Sequence, residues 1–193
     1  MTTNKNPRKG DWIQTATGQQ FWPMDPLHEE IEIEDIAHAL SLICRYAGHC
    51  SHFYSVAQHS VILAHFVPNH LQLMGLLHDA SEAYISDIPK PAKNFLPDYE
   101  VAEKNIEKAI SEKFKLPFPM PAEVKHMDTV MLKTEVRDLM LIPPKDWNIP
   151  KDIPVLEETI VPWSADKAKF MFQLHYDVIT EGKSIEYFYK YLF

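Results

Sequence analysis

Two histidines and two aspartates stand where helical periodicity would otherwise favour apolar side chains. They are His59, the adjacent pair His78-Asp79 nineteen residues on, and Asp128, forty-nine residues beyond that pair. Each falls on a segment that reads as an α-helix, on or beside its apolar side. Burying imidazoles and carboxylates is costly unless something satisfies them. A divalent ion does so when such groups converge from several elements. A lone histidine in the place of His59 is more often a hydrogen-bonded core residue, but the conjunction of all four is hard to explain as packing. The expectation is a mononuclear centre with two imidazole and two carboxylate ligands, holding zinc, cobalt, manganese or magnesium. On an octahedral ion such a set leaves two positions open, for a water and a phosphate oxygen, the arrangement for metal-assisted hydrolysis.

Further candidates surround this set. Glu82 follows Asp79 and His78 by three and four residues. If the helix continues, it shares their face and is placed to orient or deprotonate an attacking water. Asp87, just before a proline loop, is a candidate to hold a water or protonate a leaving group. Arg45, one of three arginines in the chain, is expected at the end of the first long helix, where it would clamp a phosphate bidentately. Tyr46 could stack on a base or pack. Lys90, Lys93, His49 and His52 could meet outer phosphate oxygens. Glu135 shares the stripe of Asp128 and reads best as a buried ion pair, with an arginine as partner.

The elements that must position these residues are helical almost throughout. Residues 1–30 differ, because Ile13–Trp22 carries a Thr-Gly turn between β-prone stretches and predicts a small hairpin. A first helix runs from about Glu32 through Cys44 and is closed by Gly48. Ser55 to Gln58 is a capping-box pattern opening the helix of His59. Pro68 starts a helix that is apolar all round, with His78-Asp79 towards its end. Ile88 to Lys93 reads as a rigid extended loop. Further helices are expected from about Asp98 to Lys115, Pro121 to Leu141 and Ser164 to Thr180, with a Pro-rich connection at 143–162 and a C-terminal helix and tail at 164–193. The expected fold is a single all-α domain over 1–193 with a minor N-terminal hairpin.

Composition sets bounds. With 46% apolar and 24% charged residues the chain is an ordinary globular protein of 193 residues, long enough for one substantial core. A net charge of −8 argues against polymeric nucleic acid as a partner. No signal core or membrane-length run is present, which leads to the expectation of a cytoplasmic protein with no membrane partner. Cys44 and Cys50 fit no CxxC spacing and are expected to be buried, reduced thiols. The aromatics Tyr187, Phe188, Tyr189, Tyr191 and Phe193 suggest a subunit contact and hence a homo-oligomer.

The order of His59, His78-Asp79 and Asp128 resembles the H…HD…D signature of the HD-domain metal phosphohydrolases. Arg45, Gln58-His59-Ser60, the stretch His78 to Glu82 and the segment Ser86 to Lys93 are similar to the motifs of bacterial 5′-deoxynucleotidases in that superfamily. Ile43–Gly48, His52–His59 and His78–Tyr84 look closer still to compact phage and prophage HD hydrolases, a group that includes dATP triphosphohydrolases. The similarity spans about residues 30–140. It implies a compact HD helical bundle, acting in the cytosol of a bacterium or phage-infected host. It also implies a free deoxynucleotide as the small-molecule substrate: a dNTP, cleaved to deoxynucleoside and triphosphate, or alternatively a dNMP. A non-catalytic, metal-stabilised binding module is the reading from another class.

Overall fold

The computed structural model describes residues 8–193; positions 1–7 of the expected N-terminal extension lie outside the described residues. The fold is all-α with a small antiparallel hairpin, as the periodicity predicts. Strands β1 (Ile13–Gln14) and β2 (Gln20–Phe21) pair in the register Ile13 with Phe21 and Gln14 with Gln20. Two contacts fasten the hairpin to the helical body. Asp35 accepts hydrogen bonds from the Thr17 backbone N at 2.7 Å and Oγ1 at 2.9 Å, and the buried Phe21 ring stacks on Tyr84 with centroids 4.0 Å apart.

The helices follow as α1 (Ile33–Leu42), α2 (Val56–Phe66), α3 (Gln72–Leu77), α4 (Glu82–Ile85), α5 (Lys90–Lys93), α6 (Pro97–Phe114), α7 (Ala122–Leu139) and α8 (Ala165–Thr180). The most enclosed of them is α2, with every residue from Val56 to Ala64 buried. Ser55 caps it, its Oγ accepting from the Gln58 N–H at 3.1 Å, which satisfies one of the amides a helix start leaves free. Helix α3 lies against α2 at Gly75. A Cβ there would stand 3.0 Å from Leu63 Cδ2, 3.1 Å from Val67 Cγ2 and 3.3 Å from the Ala64 Cα. Helix α8 closes over α1, α2 and α3.

Several boundaries depart from expectation. The first helix stops at Leu42; Ile43 and Cys44 are extended, and Cys44 bridges to Ser55. The chain then turns through a 3-10 segment, Arg45–Gly48, in which Tyr46, Ala47 and Gly48 have φ of 57°, 51° and 80°. The stretch read as an extended loop contains the helical turn α5, because Pro91 occupies a first-turn position where its missing N–H costs nothing. Cys44 and Cys50 are free and half-buried rather than buried, with their sulfurs 3.6 Å apart. Of the C-terminal aromatics, Tyr187, Tyr189 and Tyr191 are exposed, whereas Phe188 and Phe193 pack on the core.

One core contact carries a pH dependence. His175 Nδ1 lies 2.6 Å from the Met171 carbonyl and must donate to it. In the neutral ring its Nε2 then accepts from His65 Nε2–H, 2.8 Å away. Burial, with the charge of His175 added, lowers the His65 pKa to about 3. Burial lowers that of His175 to about 4 against the opposing Met171 carbonyl. Both folded values lie below the unfolded value of about 6.5. The unfolded chain therefore binds more protons in this interval, so the stability these groups contribute is full above about pH 6.5 and is lost as pH falls towards 3 to 4. Between pH 7 and 5 the melting temperature of the wild type should fall further than that of a His65→Gln/His175→Gln variant. Parallel curves would refute the assignment.

Candidate metal centre

His59 lies one turn into α2, and His78 and Asp79 follow the end of α3. The α3 helix does not continue to Glu82. Between them the chain tightens into turns, with the Ala80 N–H donating to Leu77 O and the Glu82 N–H to Asp79 O. This i→i+3 pattern rotates successive residues by about 120° rather than 100°. The carboxylate of Asp79 nevertheless reaches the imidazole of His78, with Oδ2 3.1 Å from Nε2. Asp128 comes from the first half of α7. It shares the stripe of the buried Val124 and Met131, and its Oδ1 reaches the buried His59, but its side chain is 44% exposed rather than buried. Glu135, two turns further along α7, is fully buried.

The two imidazoles are held in a defined orientation. His59 Nδ1 is 2.6 Å from Glu135 Oε1, and His78 Nδ1 is 2.7 Å from the Gly75 carbonyl. Both acceptors take a proton donor, so each Nδ1 carries its hydrogen and each neutral ring turns a bare Nε2 lone pair inward. Those two Nε2 atoms are 3.2 Å apart. Facing lone pairs at that distance repel unless a cation lies beside both. In the ion-free protein a proton serves instead. Burial and the Arg45 charge oppose protonation of His59, but Glu135 and Asp128 outweigh them and lift its pKa to about 9.

The donor atoms fit a metal ion. His59 Nε2 is 3.3 Å from Asp128 Oδ1 and 3.7 Å from Asp79 Oδ2, and His78 Nε2 is 4.0 Å from Asp128 Oδ1. Ligands about 2.1 Å from one ion lie roughly 3.0–3.4 Å apart along a coordination edge and about 4.2 Å apart across it. Ligand atoms of His59, His78 and Asp128 all fall within 4.8 Å of one another, a group that could hold a metal ion. Asp79 approaches both imidazoles and also pairs with Arg45 Nη1 at 3.4 Å. Burial opposes its ionisation, yet His78, His59 and Arg45 together hold its pKa below the usual carboxylate range.

Glu135 is the residue whose importance the sequence understated. It is the expected buried ion pair, with Arg45 as the arginine: Arg45 Nε donates to Oε2 at 3.1 Å. It also accepts from His59 Nδ1 and from the Tyr46 hydroxyl. A carboxylate on the outer nitrogen of a liganding histidine fixes its tautomer and raises its basicity. Arg45 does not end a helix, and its 11% exposed side chain is spent on Glu135 and Asp79 through Nε and Nη1. Tyr46 lies under that guanidinium, 5.5 Å from ring centroid to Cζ.

The remaining candidates divide. Glu82 is 7% exposed, and its Oε2 is buried without a hydrogen-bond partner. Burial, then Asp79 and Asp87, hold its pKa well above the usual range. Asp87 is half-buried and raised by burial. Lys93 is committed to Glu103 at 2.7 Å, while Lys90, His49 and His52 are exposed. Among the described residues, no helix is long and apolar enough to cross a membrane.

No family model matches the chain. The uncharacterized protein YfdR of Escherichia coli strain K12 is 43% identical over 171 residues, covering 88% of this chain and 96% of its own length. An uncharacterized protein of Rhodobacter capsulatus is 30% identical over 145 residues, covering 68% of this chain and 74% of its own.

Proposed function

We propose that this chain, which belongs to the family of Escherichia coli YfdR, is an HD-type metal-dependent phosphohydrolase of free deoxynucleotides, cleaving a dNTP to deoxynucleoside and triphosphate. The observation that carries the reading is the inward-facing pair of Nε2 lone pairs on His59 and His78, 3.2 Å apart, with the carboxylates of Asp128 and Asp79 beside them. His59, His78 and Asp128 would hold a divalent ion with Asp79, and such a donor set suits zinc, cobalt or manganese better than magnesium. The ion would supply Lewis acidity to the phosphoryl oxygens and acidify a water.

The protein's own groups do the rest. Glu82 Oε2, buried and unpartnered, receives the proton that the attacking water loses as its oxygen bonds to the α-phosphorus. The bond from that phosphorus to O5′ breaks, and Asp87 returns a proton to O5′ as the deoxynucleoside leaves. Arg45 holds Asp79 and Glu135 in place and adds positive charge beside the phosphoryl group. Changing Glu82 to Gln should keep the metal and cost kcat on the order of 10²–10⁴. Metal loss in that variant would instead make Glu82 a ligand.

A second reading, a 5′-deoxynucleotidase acting on dNMPs, is favoured by the Lys93–Glu103 pair, which removes one cation from the service of outer phosphates. One experiment separates them: protein loaded in turn with zinc, cobalt, manganese and magnesium is incubated with each dNTP and dNMP, and products are separated by chromatography. Deoxynucleoside with inorganic triphosphate is expected. Orthophosphate from dNMPs alone selects the second reading, and no turnover with any metal overturns both.

A further inference from the structure

We propose that Trp147 is a specificity-determining residue, an indole face on which the nucleobase stacks while the phosphates lie at the metal centre. This rests on the nucleotide reading above. The argument starts from the Pro-rich connection between α7 and α8, which is laid back along α7 by a series of hydrogen bonds. Arg137 donates to the carbonyls of Leu156 and Glu158, each at 2.6 Å. The Leu156 N–H donates to Thr134 Oγ1 at 3.0 Å, and Lys133 Nζ donates to Lys151 O at 3.2 Å and to Ile153 O. Lower numbers on the connection thus meet lower numbers on α7. Trp147 lies on the same connection, four residues before Lys151.

The indole meets Tyr46, with ring centroids 5.9 Å apart and planes at 64°. Tyr46 in turn donates its hydroxyl to Glu135, the carboxylate that orients His59. Trp147 is therefore one aromatic ring removed from the metal-orienting network. It is not a core residue. It is 39% exposed and belongs neither to the core nor to the side chains packed on it, unlike Trp163, which is 4% exposed. The near-perpendicular contact with Tyr46 leaves an indole face uncovered by that ring. Pro143, Pro144 and Pro150 restrict the backbone that carries it, so little entropy is lost in holding the ring still. An uncharged, half-exposed aromatic cannot bind phosphate, but it binds any flat heterocycle, and a purine overlaps it more fully than a pyrimidine.

The test compares Trp147→Ala and Trp147→Phe with wild type, on the preferred deoxynucleotide and on its base-free counterpart, the matching 2-deoxyribose 5-phosphate or 5-triphosphate. Equilibrium binding of a non-hydrolysable analogue is measured alongside. Stacking by one aromatic ring corresponds to roughly 5- to 150-fold in binding. Trp147→Ala should therefore raise KM for the nucleotide by about that factor, act on KM far more than on kcat, and shrink the preference for nucleotide over its base-free counterpart equally. Trp147→Phe should recover most of it. Unchanged KM, or an equal loss on the base-free substrate, overturns the inference while leaving the hydrolase reading intact. Failure of wild type to bind or cleave any nucleotide overturns both.

Discussion

Asp128→Ala and Asp79→Ala should each yield a protein without its divalent ion and without detectable hydrolysis. In each, the facing Nε2 atoms of His59 and His78 lose one of their two flanking carboxylates, and the single carboxylate that remains leaves half the negative charge to hold a divalent ion. Elemental analysis after dialysis measures the ion directly, and turnover should fall with it. Because an ion that binds only the folded chain stabilises it by mass action, wild type should melt higher when zinc or cobalt is added, and the two variants should not. Full metal occupancy in both variants would falsify the ligand assignment.

The second large effect falls on a residue that touches no ion. Glu135→Ala would strip the nearer of two counter-charges from a nearly buried Arg45, leaving Asp79 at 3.4 Å, and remove the acceptors of His59 Nδ1 and the Tyr46 hydroxyl. Breaking a buried pair by deleting one partner costs about 3–5 kcal/mol, because the remaining charge is left uncompensated. That is a large share of the ~5–15 kcal/mol that separates a typical domain from its unfolded state. Glu135→Gln keeps the shape and one acceptor oxygen, so it should fold better yet bind metal about 10–100-fold more weakly, the usual effect of losing an outer partner of a liganding histidine. Denaturant unfolding of the metal-free proteins and competition titration with a chelator give the two numbers. If Glu135→Ala unfolds at the same denaturant concentration as wild type, the network is not what holds Arg45.

The candidate metal ligands could be read in the sequence because they violate a pattern. Polar groups at His59 and His78 interrupt stretches otherwise committed to the core, and their conjunction with Asp79 and Asp128 marks them as exceptions. The long helices were equally legible, since α6, α7 and α8 begin or end within about two residues of their punctuating prolines, serine and leucine. What the pattern hides is tertiary. Nothing local announces the left-handed backbone of Tyr46 and Ala47, which non-glycine residues adopt only when surrounding contacts compel it. That turn, together with the extended Ile43-Cys44, moves Arg45 from the expected helix end into the network around Glu135. Asp128 and Glu135 share one stripe, yet only the second is fully buried, its side chain 0% exposed against 44% for Asp128. Lys93 meets Glu103 from a different helix, and Trp147 lies in a segment with no period at all. Each of these depends on a neighbour far along the chain or on another element.

Gly75 is bound up with the centre in two ways, though it has no side chain to offer. Its carbonyl holds the Nδ1 of His78, and its bare Cα lets α3 rest on α2 beside Ala64, five residues from His59. The spacing of the two imidazoles is therefore inherited from a backbone-to-backbone distance. A close-packed contact of that kind deforms little, so the opening between the nitrogens cannot widen freely to follow the radius of whichever ion arrives. Substitutions along the α2–α3 seam, none of them at a ligand, are where the preferred ionic size of this centre would be retuned.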